Sequence, residues 1–174
     1  MVKAIVYTSN TGNTERYAEM LGYEVGLPVF SLSEAKDALE KGTEIIYLGW
    51  VMANGIRKYK NVAKLYDIRM VCAVGMGETG SNVKEIREKN NIPVSVELFT
   101  LQGGFCVEKL HGVHKLLMRM MVSTAGKALA EKADRTKAED DMLDLMTNGG
   151  SRVSLKNLEE PIKWCTRLYN EKSV

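Results

Sequence analysis

Short apolar runs alternate along this chain with stretches whose apolar residues recur every three or four positions. The runs predict buried strands at 2–8, 28–31, 43–50, 70–76 and 95–102, because a strand covered on both faces is apolar throughout rather than alternately. The intervening stretches predict helices. Residues 15–23 place Tyr17, Ala18 and Leu21 on one face, Ser33 is positioned to cap a short helix running to Leu39, and weaker helical patterns lie near 57–66 and 82–90. Pro93 ends the last of these and forces an extended approach to the fifth strand. Strands alternating with helices in this way predict an α/β fold with a five-stranded parallel sheet covered by helices on both faces.

The pattern changes after the fifth strand. Gly103-Gly104-Phe105-Cys106 leads into a helical stretch from about 109 to 132, a second helix is expected over 135–147, and Asn148-Gly149-Gly150 reads as a turn. The last helix is predicted to start with Asn157 as N-cap, Glu160 at N3 and Pro161 in the first turn. It would bury Leu158, Ile162, Cys165, Leu168 and Tyr169. From Leu116 to Val122, six of seven residues are apolar and they run round the whole helix. Such a helix is either packed on several sides, within the molecule or in a homodimer, or applied to another apolar surface such as a membrane. Lys109, Lys115, Arg119 and Lys127 flank it.

At 174 residues the chain fits one domain, 1–174, with 105–150 as a helical insertion. A strand begins almost at the N-terminus, which leaves no space for a charged and apolar leader, and no apolar run reaches about 18 residues, so the expected location is cytoplasmic. Cys72, Cys106 and Cys165 have no metal-ligand spacing and suit free thiols in a reducing compartment. A net charge of +2 is too small to imply nucleic acid as a partner. His111 and His114, three residues apart, lack a nearby third ligand, and the acidic run Glu139-Asp140-Asp141 reads as a solvated helix face.

Candidate chemistry concentrates between the first strand and the first helix. Ser9-Asn10-Thr11-Gly12-Asn13-Thr14 offers three hydroxyls, amide side chains and a run of backbone N–H groups at the positive end of a helix. Gly12 supplies backbone freedom for wrapping an anion, and the chemistry points to a phosphate. An ordinary strand-to-helix turn capped by Thr14 needs only one of those hydroxyls. No lysine stands in the loop, which argues against a nucleotide triphosphatase, and no G-x-G-x-x-G occurs for a dinucleotide.

The spacing Ser9-x-Thr11-Gly12-x-Thr14 resembles the first loop of the flavodoxin family, S/T-x-T-G-x-T. The resemblance implies a doubly wound sheet in the order 2-1-3-4-5 and FMN as cofactor, its phosphate held by Ser9, Asn10, Thr11, Gly12, Asn13 and Thr14. Ligands in such sheets lie beyond the carboxyl ends of the strands where strand order reverses, so the loops after strands 1, 3 and 4 would meet there. Trp50, at the end of the third strand, is placed to cover a flavin face or to pack under a helix, and Val51, Met52, Ala53 and Asn54 follow it. The fourth loop begins Gly75-Met76-Gly77, whose small residues allow close backbone approach, although the family commonly has a tyrosine in this loop. The implied function is electron transfer to a redox partner protein. Lys115 to Met121 also looks like the long helix of bacterial quinone-linked protoporphyrinogen oxidases of flavodoxin fold, which implies a quinone as the alternative partner and a peripheral membrane contact through 115–122.

Overall fold

A computed structural model of the protein describes residues 1–105, 112, 116, 119, 120 and 122–170. Five parallel strands form the sheet: β1 (Ala4–Thr8), β2 (Val29–Ser31), β3 (Glu44–Met52), β5 (Asp67–Gly75) and β6 (Glu97–Gln102). Their order is β2-β1-β3-β5-β6, the doubly wound order expected from the sequence. A short β4 (Gly55–Ile56) turns back antiparallel onto the end of β3. Sequence patterning missed it because two residues carry no periodicity.

The strands are apolar on both sides because both sides are covered. α1 (Asn13–Val25) lays Tyr17, Ala18 and Leu21 on one face, against Ile5, Ile46, Leu48 and Cys72. The last helix, α7 (Glu159–Asn170), shares that face through Cys165. α2 (Leu32–Ala38), α3 (Tyr59–Val62) and α4 (Val83–Asn90) cover the other with Ala35, Tyr59, Val62 and Ile86. α1 approaches β2 closely at Gly22, where an added Cβ would collide with the Val29 side chain.

Several caps differ from the sequence expectation. Ser31, not Ser33, caps α2, in a reciprocal capping box with Glu34. Asn157 does not cap the last helix. Ser154 caps a 3-10 turn at Leu155–Leu158 that leads into α7, while the Asn157 amide donates to the Tyr17 hydroxyl at 2.6 Å and to the Arg152 carbonyl at 3.0 Å. Ser33 and Asn157 have the right chemistry, but a neighbouring hydroxyl reaches the free N–H groups first.

Beyond β6, β7 (Gly104–Phe105) pairs antiparallel with β8 (Gly150–Ser151), so the excursion between them leaves and re-enters the fold at one place. Of the segment from about 109 to 132, Leu116, Arg119 and Met120 are helical, followed by a π-helical turn at Val122–Gly126 and α5 (Lys127–Glu131). α6 (Lys137–Asn148) comes next. Leu116 and Met120 are 62% and 56% exposed, so the described part of the all-round apolar stretch faces outward. Leu117, Met118, Met121, Lys109, Lys115, His111, His114 and Cys106 lie outside the described residues. The acidic run is solvent-accessible, and each of its carboxylates also holds a partner. Glu139 closes a capping box on Thr136 and binds Lys132, Asp140 pairs with Arg135, and Asp141 takes Arg152 and the Gln102 amide.

Candidate functional site

The loop after β1 begins with a turn in which the Gly12 N–H donates to the Ser9 hydroxyl at 3.1 Å. Gly12 then adopts φ 91°, a left-handed conformation that favours glycine, and α1 starts at Asn13. No side chain caps this helix. The N–H groups of Asn10, Thr11, Asn13 and Thr14 find no protein acceptor among the described residues, so a row of oriented donors is left at the positive helix end. Thr14 is buried beneath the loop, and Asn13 Nδ2 reaches the Thr11 hydroxyl at 3.4 Å. Ser9, Asn10, Thr11, Asn13 and Thr14 thus keep donors free, and the loop itself holds no carboxylate, a set that fits a phosphate.

Trp50 is the last residue of β3 paired with β5, opposite Val74, and is partly exposed. It lines one pocket of about 630 Å³ together with Ser9 and Asn10, which brings the third loop to the first as expected. The Arg57 guanidinium lies 5.4 Å from the Trp50 ring centre, a cation–π distance. Residues 51–54 form a hairpin rather than a loose loop. Val51 and Met52 pair with Ile56 and Gly55, and Ala53 and Asn54 occupy the turn with positive φ, 48° and 61°. Gly49 permits the fold-back, since a Cβ there would press on Ile56.

Two polar anchors that sequence reasoning missed hold this hairpin. Asn90, 6% exposed, accepts from the Ile56 N–H and donates to the carbonyls of Asn54 and Ile86. Tyr47 donates to the Arg57 carbonyl and meets the Thr8 hydroxyl at 2.7 Å, tying the hairpin base to the end of β1. Burial pushes the Tyr47 phenol up to about 12, so it stays a neutral donor. Tyr7, whose hydroxyl donates to Glu15 at 2.6 Å, is raised further, first by burial and then by that carboxylate. Nothing in the spacing marked Asn90, because its partners are backbone atoms 34 and 36 residues away.

Gly75 ends β5, and Met76 and Gly77 follow it beside the same end of the sheet. Gly75 faces Val51, 3.7 Å from the position of an added Cβ, so the third and fourth loops are neighbours. The fourth loop then folds onto β6: the Gly80 N–H donates to the Thr100 carbonyl at 3.0 Å and the Thr79 hydroxyl accepts from Gln102 N–H at 3.0 Å. Next to the first loop, Ser151 of β8 donates to Asn13 at 2.8 Å. The neck of the helical excursion therefore touches the donor loop.

A doubly wound sheet with a donor-rich turn at its switch point, flanked by an aromatic hairpin and a glycine-rich loop, defines a flavodoxin-like domain. A family model described as the flavodoxin domain matches residues 4–132, and the chain belongs to the flavodoxin family. That membership implies a flavin as cofactor, in agreement with the donors of residues 9–14. None of the curated proteins compared with the chain matches it. Among the described residues, no three His, Cys, Asp or Glu side chains gather as a metal site, and no helix is long and apolar enough to cross a membrane.

Proposed function

We propose that the protein is an FMN-dependent electron-transfer protein. The observation that carries this reading is the first loop, where free N–H groups and hydroxyls of Ser9 to Thr14 converge at an uncapped helix start. Ser9, Asn10, Thr11, Gly12, Asn13 and Thr14 hold the phosphate. Trp50 to Asn54 and Gly75 to Gly77 border the ring, where backbone groups tune its electronics. Bound FMN supplies one- and two-electron redox chemistry, and the protein's share is binding, orientation and control of access. No side chain needs to act as acid or base.

A second reading is an oxidoreductase that passes electrons to a quinone, as in the protoporphyrinogen oxidases that the sequence resembles. The outward-facing Leu116 and Met120 support it, since an apolar helix surface suits a membrane-borne or apolar acceptor or a second copy of the chain. Titration with FMN and riboflavin tests the common part. FMN should bind more tightly, and equal affinities would refute the phosphate assignment. Each of Thr11→Ala and Thr14→Ala should weaken FMN binding about tenfold or more, as a hydrogen bond to a charged group contributes roughly 1.5–3 kcal/mol. Reduction of a quinone on addition of protoporphyrinogen would decide for the second reading.

A further inference from the structure

Beside the Trp50 pocket, a shallow hollow of about 380 Å³ lies between α2 and α3, lined by Leu32, Lys36, Lys58, Asn61, Lys64 and Leu65. Lys36 and Lys58 line both hollows, so the two are continuous. The three lysines are exposed, and none pairs with a carboxylate among the described residues. Arg57 adds a fourth cation over Trp50. No carboxylate lines the α2–α3 hollow, whereas Glu15 lines the adjoining Trp50 pocket and the exposed Glu34 and Asp37 lie on α2. The whole chain carries 24 cations and 22 carboxylates, so this concentration is local rather than an average.

We propose that the α2–α3 face docks an acidic redox protein beside the Trp50 edge, which rests on the FMN reading above. Charge complementarity selects the occupant. Unpaired lysines around an apolar floor of Leu32 and Leu65 attract and orient a partner whose redox centre is ringed by carboxylates, and they repel a basic one. One electron leaves the partner's reduced iron–sulfur centre for the FMN-loaded protein. No bond is made or broken.

The test mixes the FMN-loaded protein with a reduced, strongly acidic [2Fe–2S] ferredoxin in stopped flow, each rate divided by the flavin content of the sample. The second-order rate should fall as salt is added, because screening over about 10 Å at 0.1 M removes the steering. The triple variant Lys36→Gln, Lys58→Gln, Lys64→Gln should lower the low-salt rate about tenfold and flatten the salt dependence, within the range that electrostatic steering spans. An equal rate for the triple variant, or a rate that rises with salt, would overturn the docking surface. Amide shift mapping with oxidised ferredoxin, with and without added FMN, gives an independent reading. Shifts confined to α2, α3 and the hairpin support the proposal, and shifts elsewhere overturn it. A triple variant that loses sedimentation with phosphatidylserine vesicles, while ferredoxin mapping leaves α2–α3 unmoved, would assign the face to a membrane instead. Failure to bind FMN overturns the functional reading, whereas the mapping without FMN still decides the surface.

Discussion

At the scale of single residues, the site depends on side chains that spend their hydrogen bonds holding backbone in place. Asn90 is the clearest case: it satisfies the Ile56 N–H and the Asn54 carbonyl at once and so fixes the hairpin that carries Trp50. Asn90→Ala should destabilise the protein by about 2–3 kcal/mol, since it leaves buried partners unsatisfied, and should broaden the amide resonances of 52–57 in NMR spectra. A variant with unchanged melting temperature would show that water replaces the amide. Trp50→Leu tests a different role. Trp50 is only partly buried, so the fold should survive, while the fluorescence and potential of bound FMN shift. Large loss of stability with an unaltered flavin would assign Trp50 to the core. Trp50 and the 9–14 loop were legible because strand ends and hydroxyl spacing are local patterns. The anchoring roles of Asn90, Tyr47 and Asn157 were not, because each depends on a partner remote in sequence, Ile56, Thr8 and Tyr17 respectively, which no periodicity encodes.

At the scale of elements, the five main strands were legible from apolar runs, whereas caps and short elements were settled by competition between neighbouring donors. α6 shows what such competition builds. Its Asp141 and Asp144 grip Arg152, and Asp141 also takes Gln102 at the end of β6, so the helix is held to the sheet by charge-assisted hydrogen bonds. Asp144 is held below the usual carboxylate range first by the Asn148 amide and then by Arg152, and Glu139 first by Lys132. The sign follows from these depressed values. The favourable contribution is complete above the ordinary carboxylate pKa of about 4 and is lost as pH falls through the lower folded values. Hydrogen exchange should therefore show the amides of α6 losing protection on acidification before those of β3 and β5. Simultaneous loss in helix and sheet would mean that the carboxylates contribute nothing local.

At the scale of the whole molecule, the fold separates a sheet that positions the donor loop from a helical excursion joined to it by a two-residue ribbon and by the contacts of Asp141 with Gln102 and Arg152. The separation follows from geometry. Phe105 pairs with Gly150 and Gly104 with Ser151, and Gly104 is required because an added Cβ would strike the Gly150 carbonyl. The chain enters and leaves the excursion at adjacent positions, so replacing 106–149 by an Asn-Gly turn should close the ribbon as an ordinary hairpin. The two main clusters of core residues contain none of the described residues of the removed segment, whose buried Leu145 and Met146 pack outside them. The shortened protein should fold with the sheet intact and bind FMN, with affinity reduced by no more than about tenfold from loosening of the Ser151–Asn13 contact at the donor loop. If the excursion serves an apolar acceptor through Leu116 and Met120, quinone-coupled turnover should vanish while electron exchange with an acidic ferredoxin persists. A shortened protein that loses FMN altogether would instead make the ribbon and α6 part of the cofactor site, and the excursion would be a wall of that site rather than an attachment to it.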